Sequence, residues 1–162
     1  TDLTYTTTLT ARRAAADAVI GKGDGANLKI RTATRSLASP AQNSTHLFGR
    51  FDSNTRIHAM SRVYWGDLAS SGSPTLSIGI ASVNNNFGAA VPAAFNSALD
   101  LATTNPAGVG IFADPANSGK MLWEIAGLSS DPGGQMDIYG SVLGAASNLT
   151  ASITADIVAS ID

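Results

Sequence analysis

Few side chains in this sequence could carry out chemistry. The chain has two histidines, His46 and His58, one glutamate, Glu124, and no cysteine. Histidine titrates near neutral pH, so a metal site or a catalytic triad would normally use at least one of the two. The lack of cysteine excludes thiol nucleophiles, thiolate metal sites and disulfides. Only histidine or carboxylate chemistry is left to consider.

Neither histidine has a sequence context typical of catalysis. His58 falls on the polar face of an alternating stretch, between Arg56 and Met60. Neighbouring cations favour the neutral imidazole and do not activate it. We therefore expect a surface or interface role for His58, and no catalytic residue in the chain.

The carboxylates give no stronger signal. A glycosidase would need Glu124 to meet Asp137 or Asp114 through tertiary contacts, because no aspartate stands beside Glu124 at a useful spacing. Residues 52–54 and residues 131–134 are oxygen-rich, but they lack the spacing of a calcium-binding EF-hand loop. We interpret both as Asx-type turns and predict no bound metal.

A glycine-rich run at residues 21–25, Gly-Lys-Gly-Asp-Gly, invites comparison with phosphate-binding loops. Such loops precede a helix, whereas this run follows a predicted helix at residues 11–20 and matches neither the Walker nor the dinucleotide pattern. The run is better explained as a helix C-cap and turn, so the sequence predicts no cofactor.

Charge is distributed unevenly along the chain. Up to Arg62 there are nine basic and four acidic residues, and beyond it one basic and eight acidic residues. A nucleic-acid-binding patch could draw on the early basic residues Arg12, Arg13, Lys29, Arg31 and Arg35. Base-stacking aromatic residues are scarce, however, and the isoelectric point near 5.5 opposes polyanion binding, so we expect no nucleic-acid partner.

The length and composition indicate one globular core. The chain has 162 residues, of which 44% are hydrophobic and 14% charged. No apolar run approaches the roughly 18 residues of a membrane span, and residues 1–10 lack the basic and apolar regions of a secretion signal. We therefore expect a protein that is neither membrane-bound nor exported.

Short alternating runs, separated by Gly, Pro, Asn and Asp, dominate the chain from residue 27 onward. Their spacing is typical of a β-sandwich or barrel. We predict eight strands, at residues 28–32, 47–51, 55–65, 75–83, 108–113, 120–126, 135–143 and 149–161.

Two of these strands are expected to pair as neighbours, those at residues 55–65 and 75–83. In the first, the face predicted to point inward carries Ile57, Ala59, Ser61, Val63 and Trp65. Apolar residues at residues 91–102 recur at helical spacing, which predicts one amphipathic helix there.

These elements predict an all-β fold, a mainly antiparallel, jelly-roll-like β-sandwich with one or two short helices. The sandwich domain would span residues 27–162. Residues 1–26 would form an N-terminal arm, a short helix and the glycine-rich loop. Leu3, Tyr5, Thr7 and Leu9 alternate with polar residues, which suits an extended arm that pairs with a strand edge.

Several runs also resemble a known family. Several short runs are similar to small head-associated proteins of tailed bacteriophages, of the decoration or cement type. They are residues 47–51 and 54–57, Asp67, residues 74–80, 122–128 and 131–134, and a closing strand through Ile157. The resemblance extends from about residue 47 to the C-terminus and consists of strand and turn patterns, with no chemical signature.

The resemblance implies a non-enzymatic β-sandwich protein, often trimeric, that is made in the host cytoplasm and displayed in many copies on the capsid exterior of the virion. Its partner would be the major capsid protein, and it would clamp adjacent capsomers. From charge and expected exposure alone, the candidate contacts with the capsid or with other subunits are Leu3, Tyr5, Leu9, Arg12, Arg13, Arg56 and Arg62.

Two other kinds of function fit the same architecture. One is a head-tail connector, tail or fibre component, or a carbohydrate-binding module. Use as a fibre or for carbohydrate binding would expose aromatic residues, and the candidates are Tyr64, Trp65 and Tyr139. Burial of Trp65 and Trp123 would weigh against a sugar-binding platform. The other is a jelly-roll enzyme, in which both histidines and nearby carboxylates would meet in one cleft.

Overall fold

Nine strands in two sheets form the described part of the chain, residues 28–68, 72–84, 87–146 and 148–161 of a computed structural model. A 3-10 helix (Pro115–Asn117) and a short helix, α1 (Leu122–Ile125), precede the last two strands. The predicted arm, helix and glycine-rich loop lie outside the described residues. The strands are β1 (Lys29–Ala38), β2 (Thr45–Asp52), β3 (Thr55–Ile57), β4 (Arg62–Trp65), β5 (Thr75–Ser82), β6 (Val91–Asp100), β7 (Asn105–Gly110), β8 (Gln135–Leu143) and β9 (Thr150–Ile161).

The two sheets have the strand order of a jelly roll. Sheet A has the order β1-β9-β4-β7, with β3 also paired to β9, and sheet B has the order β2-β8-β5-β6. All pairs are antiparallel. Because β3 and β4 pair with successive parts of β9, they form one interrupted strand, and eight strands then make two Greek keys. The predicted all-β sandwich is confirmed.

The core lies between the sheets and follows the period-two pattern of the strands. Alternate side chains of β5, β8 and β9 point inward, because successive residues of a strand face opposite sides. The fully buried members of this set are Leu76, Ile78, Ile80, Met136, Ile138, Val142, Ile153, Ala155 and Ile157.

The stretch at residues 55–65 keeps most of its predicted alternation. Ile57, Ser61, Val63 and Trp65 are buried, whereas Ala59 is exposed because the chain makes a turn between β3 and β4. The predicted pairing of this stretch with residues 75–83 is wrong, since β3 and β4 belong to sheet A and β5 belongs to sheet B.

The predicted helix at residues 91–102 is also wrong, because this stretch is strand β6. Its pairing with β5 shifts register twice, so that Val91, Asn96 and Leu99 lie opposite alternate residues of β5. Extra residues in a bulged strand break the period of two and change which side chains face the core. The resulting spacing of apolar residues imitates that of a helix.

The predicted strand at residues 120–126 is replaced by a turn and α1. Glu124 accepts a hydrogen bond from the Met121 backbone N–H at 2.8 Å, which caps the helix start. Leu122 and Ile125, three positions apart, both point into the core. Across the described segments, no helix is long and apolar enough to cross a membrane.

Gly79 on β5 lies where β6 passes close to it, and this contact provides a test of the packing. A Cβ at this position would lie 2.5 Å from the Val91 carbonyl oxygen and 2.6 Å from Pro92 Cα. Backbone atoms cannot move aside easily, so Gly79→Ala should lower the free energy of unfolding in urea by about 2–3 kcal/mol. Gly110→Ala on β7 is the matched control, because a Cβ there meets open space. Equal losses in the two variants would contradict the close packing of β6 on β5.

Candidate functional site

Three basic residues of the edge strand β1, Lys29, Arg31 and Arg35, form a cluster that we call the basic edge. In an antiparallel pair, residues directly opposite each other share a face of the sheet. The three bases therefore point to the side that faces sheet B, although they remain exposed at the open edge of the sandwich. Their partners on β9, all buried, are Ala159, Ile157 and Ile153.

Two of these bases reach across the open edge to the other sheet. Arg35 donates from Nε to the Leu47 carbonyl oxygen of β2 at 2.9 Å. The guanidinium carbon of Arg31 lies 5.9 Å from the ring centroid of Phe51, also on β2, in a cation-π contact. The two arginines thus close the sandwich between β1 and β2, and the Arg35 contact occupies one backbone acceptor of β2.

The basic edge carries three positive charges. Within the described ranges, none of its three bases comes within 4.0 Å of a carboxylate. Arg50 is different, because its two donors lie 2.7 and 2.9 Å from the Asp137 oxygens, and this hydrogen-bonded pair raises the pKa of Arg50. The basic edge is therefore a surface suited to an anionic partner.

The other predicted contact residues are not part of this cluster. Arg56 is half-buried and donates to the Gly119 carbonyl oxygen at 2.9 Å, which ties β3 to the loop before α1. Arg62 is exposed and donates to the carbonyl oxygens of Ala107 and Gly108 at 3.2 Å. Both arginines lie on the outer face of sheet A. The remaining candidates, Leu3, Tyr5, Leu9, Arg12 and Arg13, lie outside the described residues.

The histidines do not meet in one cleft. His46 lies on β2 of sheet B, with Nε2 at 3.2 Å from Ser44 Oγ. His58 follows β3 of sheet A, with Nε2 at 2.8 Å from Ser160 Oγ. In the part of the chain that the structure describes, no three His, Asp or Glu side chains are grouped closely enough to hold a metal ion.

The two oxygen-rich turns do come together, and they hold each other. Ser53 donates from Oγ to Asp131 Oδ1 at 2.5 Å. The same oxygen accepts from the Gly133 backbone N–H at 2.9 Å, which is the Asx turn predicted for this segment. These contacts give Asp131 a structural role.

The aromatic residues do not form an exposed platform among the described residues. Trp65 is only 6% exposed, and Trp123 is half-buried against the core. Tyr64 lies on sheet A and packs over Gly108, whereas Tyr139 lies on sheet B, in a groove of about 420 Å³. The candidates for sugar stacking are therefore separated or buried.

Comparison with known proteins gives one informative result. No family model matches the sequence, and no curated protein matches it. Among solved structures, the fold is similar to that of a chain in the cyanophage Pam1 capsid asymmetric unit. The TM-score is 0.56 at 10% sequence identity, over 88% of this chain and 91% of that chain. The similarity is therefore one of fold.

In the sequence alone, the bases of the basic edge are candidates only for a nucleic-acid patch, for which no partner is expected. The signal in the sequence is an alternation along β1. The three bases fall on the same face of the strand as two apolar residues, Ala33 and Leu37. Because Leu37 is buried, the whole set faces sheet B. Inward-pointing charges of this kind are typical of an edge strand.

His46 gives the fold a dependence on pH. Burial, together with the nearby Arg35 charge, lowers the pKa of His46. The folded state therefore binds this proton less readily than the unfolded state does. The stability that neutral His46 contributes is fully present above the pKa of histidine in the unfolded chain, which is about 6.5. This contribution is lost as the pH falls through the lower pKa of His46 in the folded protein.

We therefore expect the urea midpoint of unfolding to decrease modestly between pH 7.5 and 5.5. His46→Gln should remove part of this decrease, and Arg35→Gln should remove a smaller part. If both variants kept the pH dependence of the original protein, His46 would not be its source.

Proposed function

We propose that this chain is a structural virion protein that decorates the exterior of a phage capsid and stabilises it by bridging capsomers. The observation that carries the proposal is the fold shared with a chain of the cyanophage Pam1 capsid. Because the similarity covers almost equal fractions of both chains, the two chains have nearly equal lengths. The similarity therefore extends over most of each chain.

The composition supports such a role. Only 14% of the residues are charged and the net charge is -2, so that copies crowded on one shell would repel each other weakly. A protein present in many copies, and trimeric in this proposal, needs only weak individual contacts, because each contact raises the effective concentration for the next.

In this proposal the basic edge meets an acidic surface of the major capsid protein. Its three bases have no carboxylate partner among the described residues, and Arg12 and Arg13 add positive charge upstream of β1. The proposal includes no catalytic step. In support, the two histidines lie apart, since His46 on β2 contacts Ser44 and His58 after β3 contacts Ser160, and Glu124 caps α1.

Binding to phage heads tests the proposal. Purified protein would be sedimented with expanded heads assembled from a genome that lacks this gene, and the bound copies per head would be counted at saturation. We expect hundreds of copies. A dozen or fewer would indicate a head-tail connector or tail component, and no binding would exclude a capsid role.

Charge variants test the contact surface. Lys29→Gln with Arg31→Gln should weaken binding to heads about tenfold, and more at low salt than at high salt, because exposed charges are screened. The matched control compares the single variants Lys29→Gln and Lys120→Gln, which remove the same charge from two exposed positions. Equal weakening by these two single variants would show that only the total charge matters.

A further inference from the structure

Among the strands that the structure describes, the two sheets have four outer edges, and three of these are protected against pairing with another strand. Sheet B ends at β2, which has a bulge and an acceptor occupied by Arg35, and at β6, which contains Pro92 and two register shifts. Sheet A ends on one side at β7, which contains Pro106 and Gly108 at positive φ. Bulges, prolines and residues that break the extended backbone are the usual means by which edge strands avoid pairing.

The fourth edge, β1, has none of these breaks. Its ten residues contain no Pro or Gly, and they pair with β9 in unbroken register. Apart from Ala33 and Leu37, every residue of β1 is exposed, including Ile30 at 70%. A long, regular edge strand of this kind is a template for one more strand.

The two faces of sheet A at β1 differ in chemistry. The outer face carries threonines, with Thr34 Oγ1 at 3.0 Å from Thr154 Oγ1 and Thr32 donating to Asp156 at 2.6 Å. The face toward sheet B carries the basic edge, with Leu37 and the half-buried Ala33. A strand that fits here would have threonines on one face, and on the other apolar or aromatic groups to cover the arginine stems.

We propose that residues 1–10 of the same chain pair along the free edge of β1 as an additional strand of sheet A. This segment has Leu3, Tyr5, Thr7 and Leu9 in alternation with threonines. Its threonines at even positions match the outer face of sheet A at β1. Its residues at odd positions, mostly apolar or aromatic, match the face toward sheet B. The inference concerns the isolated protein and does not rest on the proposed capsid role.

Charge and covalent connection identify this occupant. Residues 1–10 contain one acid, Asp2, and no base, whereas β1 contains three bases and no acid. The β1 strand of a second copy would bring three further positive charges to the edge, so pairing between two β1 strands is opposed. Only 18 residues separate residue 10 from Lys29, which gives the segment a high effective concentration at its own β1.

A cysteine scan tests the proposal, because the natural chain contains no cysteine. Thr34→Cys on the outer face would be combined, one at a time, with cysteine at positions 4, 5, 6, 7 and 8. Under mild oxidation, we expect an intrachain disulfide for one or two of the positions 4, 6 and 8. We expect at least tenfold less at positions 5 and 7, whose side chains would lie on the other face.

The matched control replaces Thr34→Cys by Ala98→Cys on the protected edge strand β6, where no preference for even positions is expected. All variants of the main series share Thr34→Cys, so a general folding defect cannot produce the alternation. Equal yields at even and odd positions, or no disulfide at all, would overturn the proposal. So would disulfide-linked dimers from a mixture of the two single variants, which would assign the segment to a second copy.

Discussion

Sheet A depends on one strand, β9, which is the last element of the chain. β9 pairs with β1 over ten residues on one side and with β3 and β4 on the other. On its inward face, Ile153, Ala155 and Ile157 are fully buried. β8 has the same place in sheet B, between β2 and β5. Each sheet therefore pairs an early strand with a late one, β1 with β9 in sheet A and β2 with β8 in sheet B. Because pairings between strands so distant in sequence dominate the fold, we expect slow folding.

The charge pattern of the sequence is also seen in the strands. Strands β1 to β4 contain six basic residues and one acidic residue, whereas β5 to β9 contain three acidic residues and no basic residue. Antiparallel pairing brings these strands into the same sheets, so that Arg50 of β2 meets Asp137 of β8. Among the described strands, β1 is the outermost of sheet A, and its bases face the open side of the sandwich, where no described carboxylate lies within 4.0 Å of them.

The sequence predicted the fold class well where strands are regular. Residues 75–83, 135–143 and 149–161 alternate cleanly, and each is a strand in the structure. The pattern failed in β6, where two bulges give apolar residues a helical spacing, and at α1, whose four residues are too few to show a helical period. Pairing of neighbouring strands could not be predicted, because a jelly roll joins strands that are far apart in the chain.

The candidate site could be predicted only in part. The alternation of bases in β1 is visible in the sequence, whereas their contacts with Leu47 and Phe51 require β1 and β2 to lie on the same side of the two sheets. That placement follows from the topology of the whole chain. Charge alone makes Arg56 and Arg62 candidate contacts, but both donate to backbone carbonyl oxygens that are distant in sequence.

We propose, as the central point, that this jelly roll binds the outside of a phage capsid through the side formed by β1 and β2. The most direct measurement is an electron cryomicroscopy reconstruction of heads saturated with the protein. We expect two-sheet density at regular positions on the outer surface, with the basic edge against the shell. Density inside the shell, or only at the vertex that carries the tail, would contradict it.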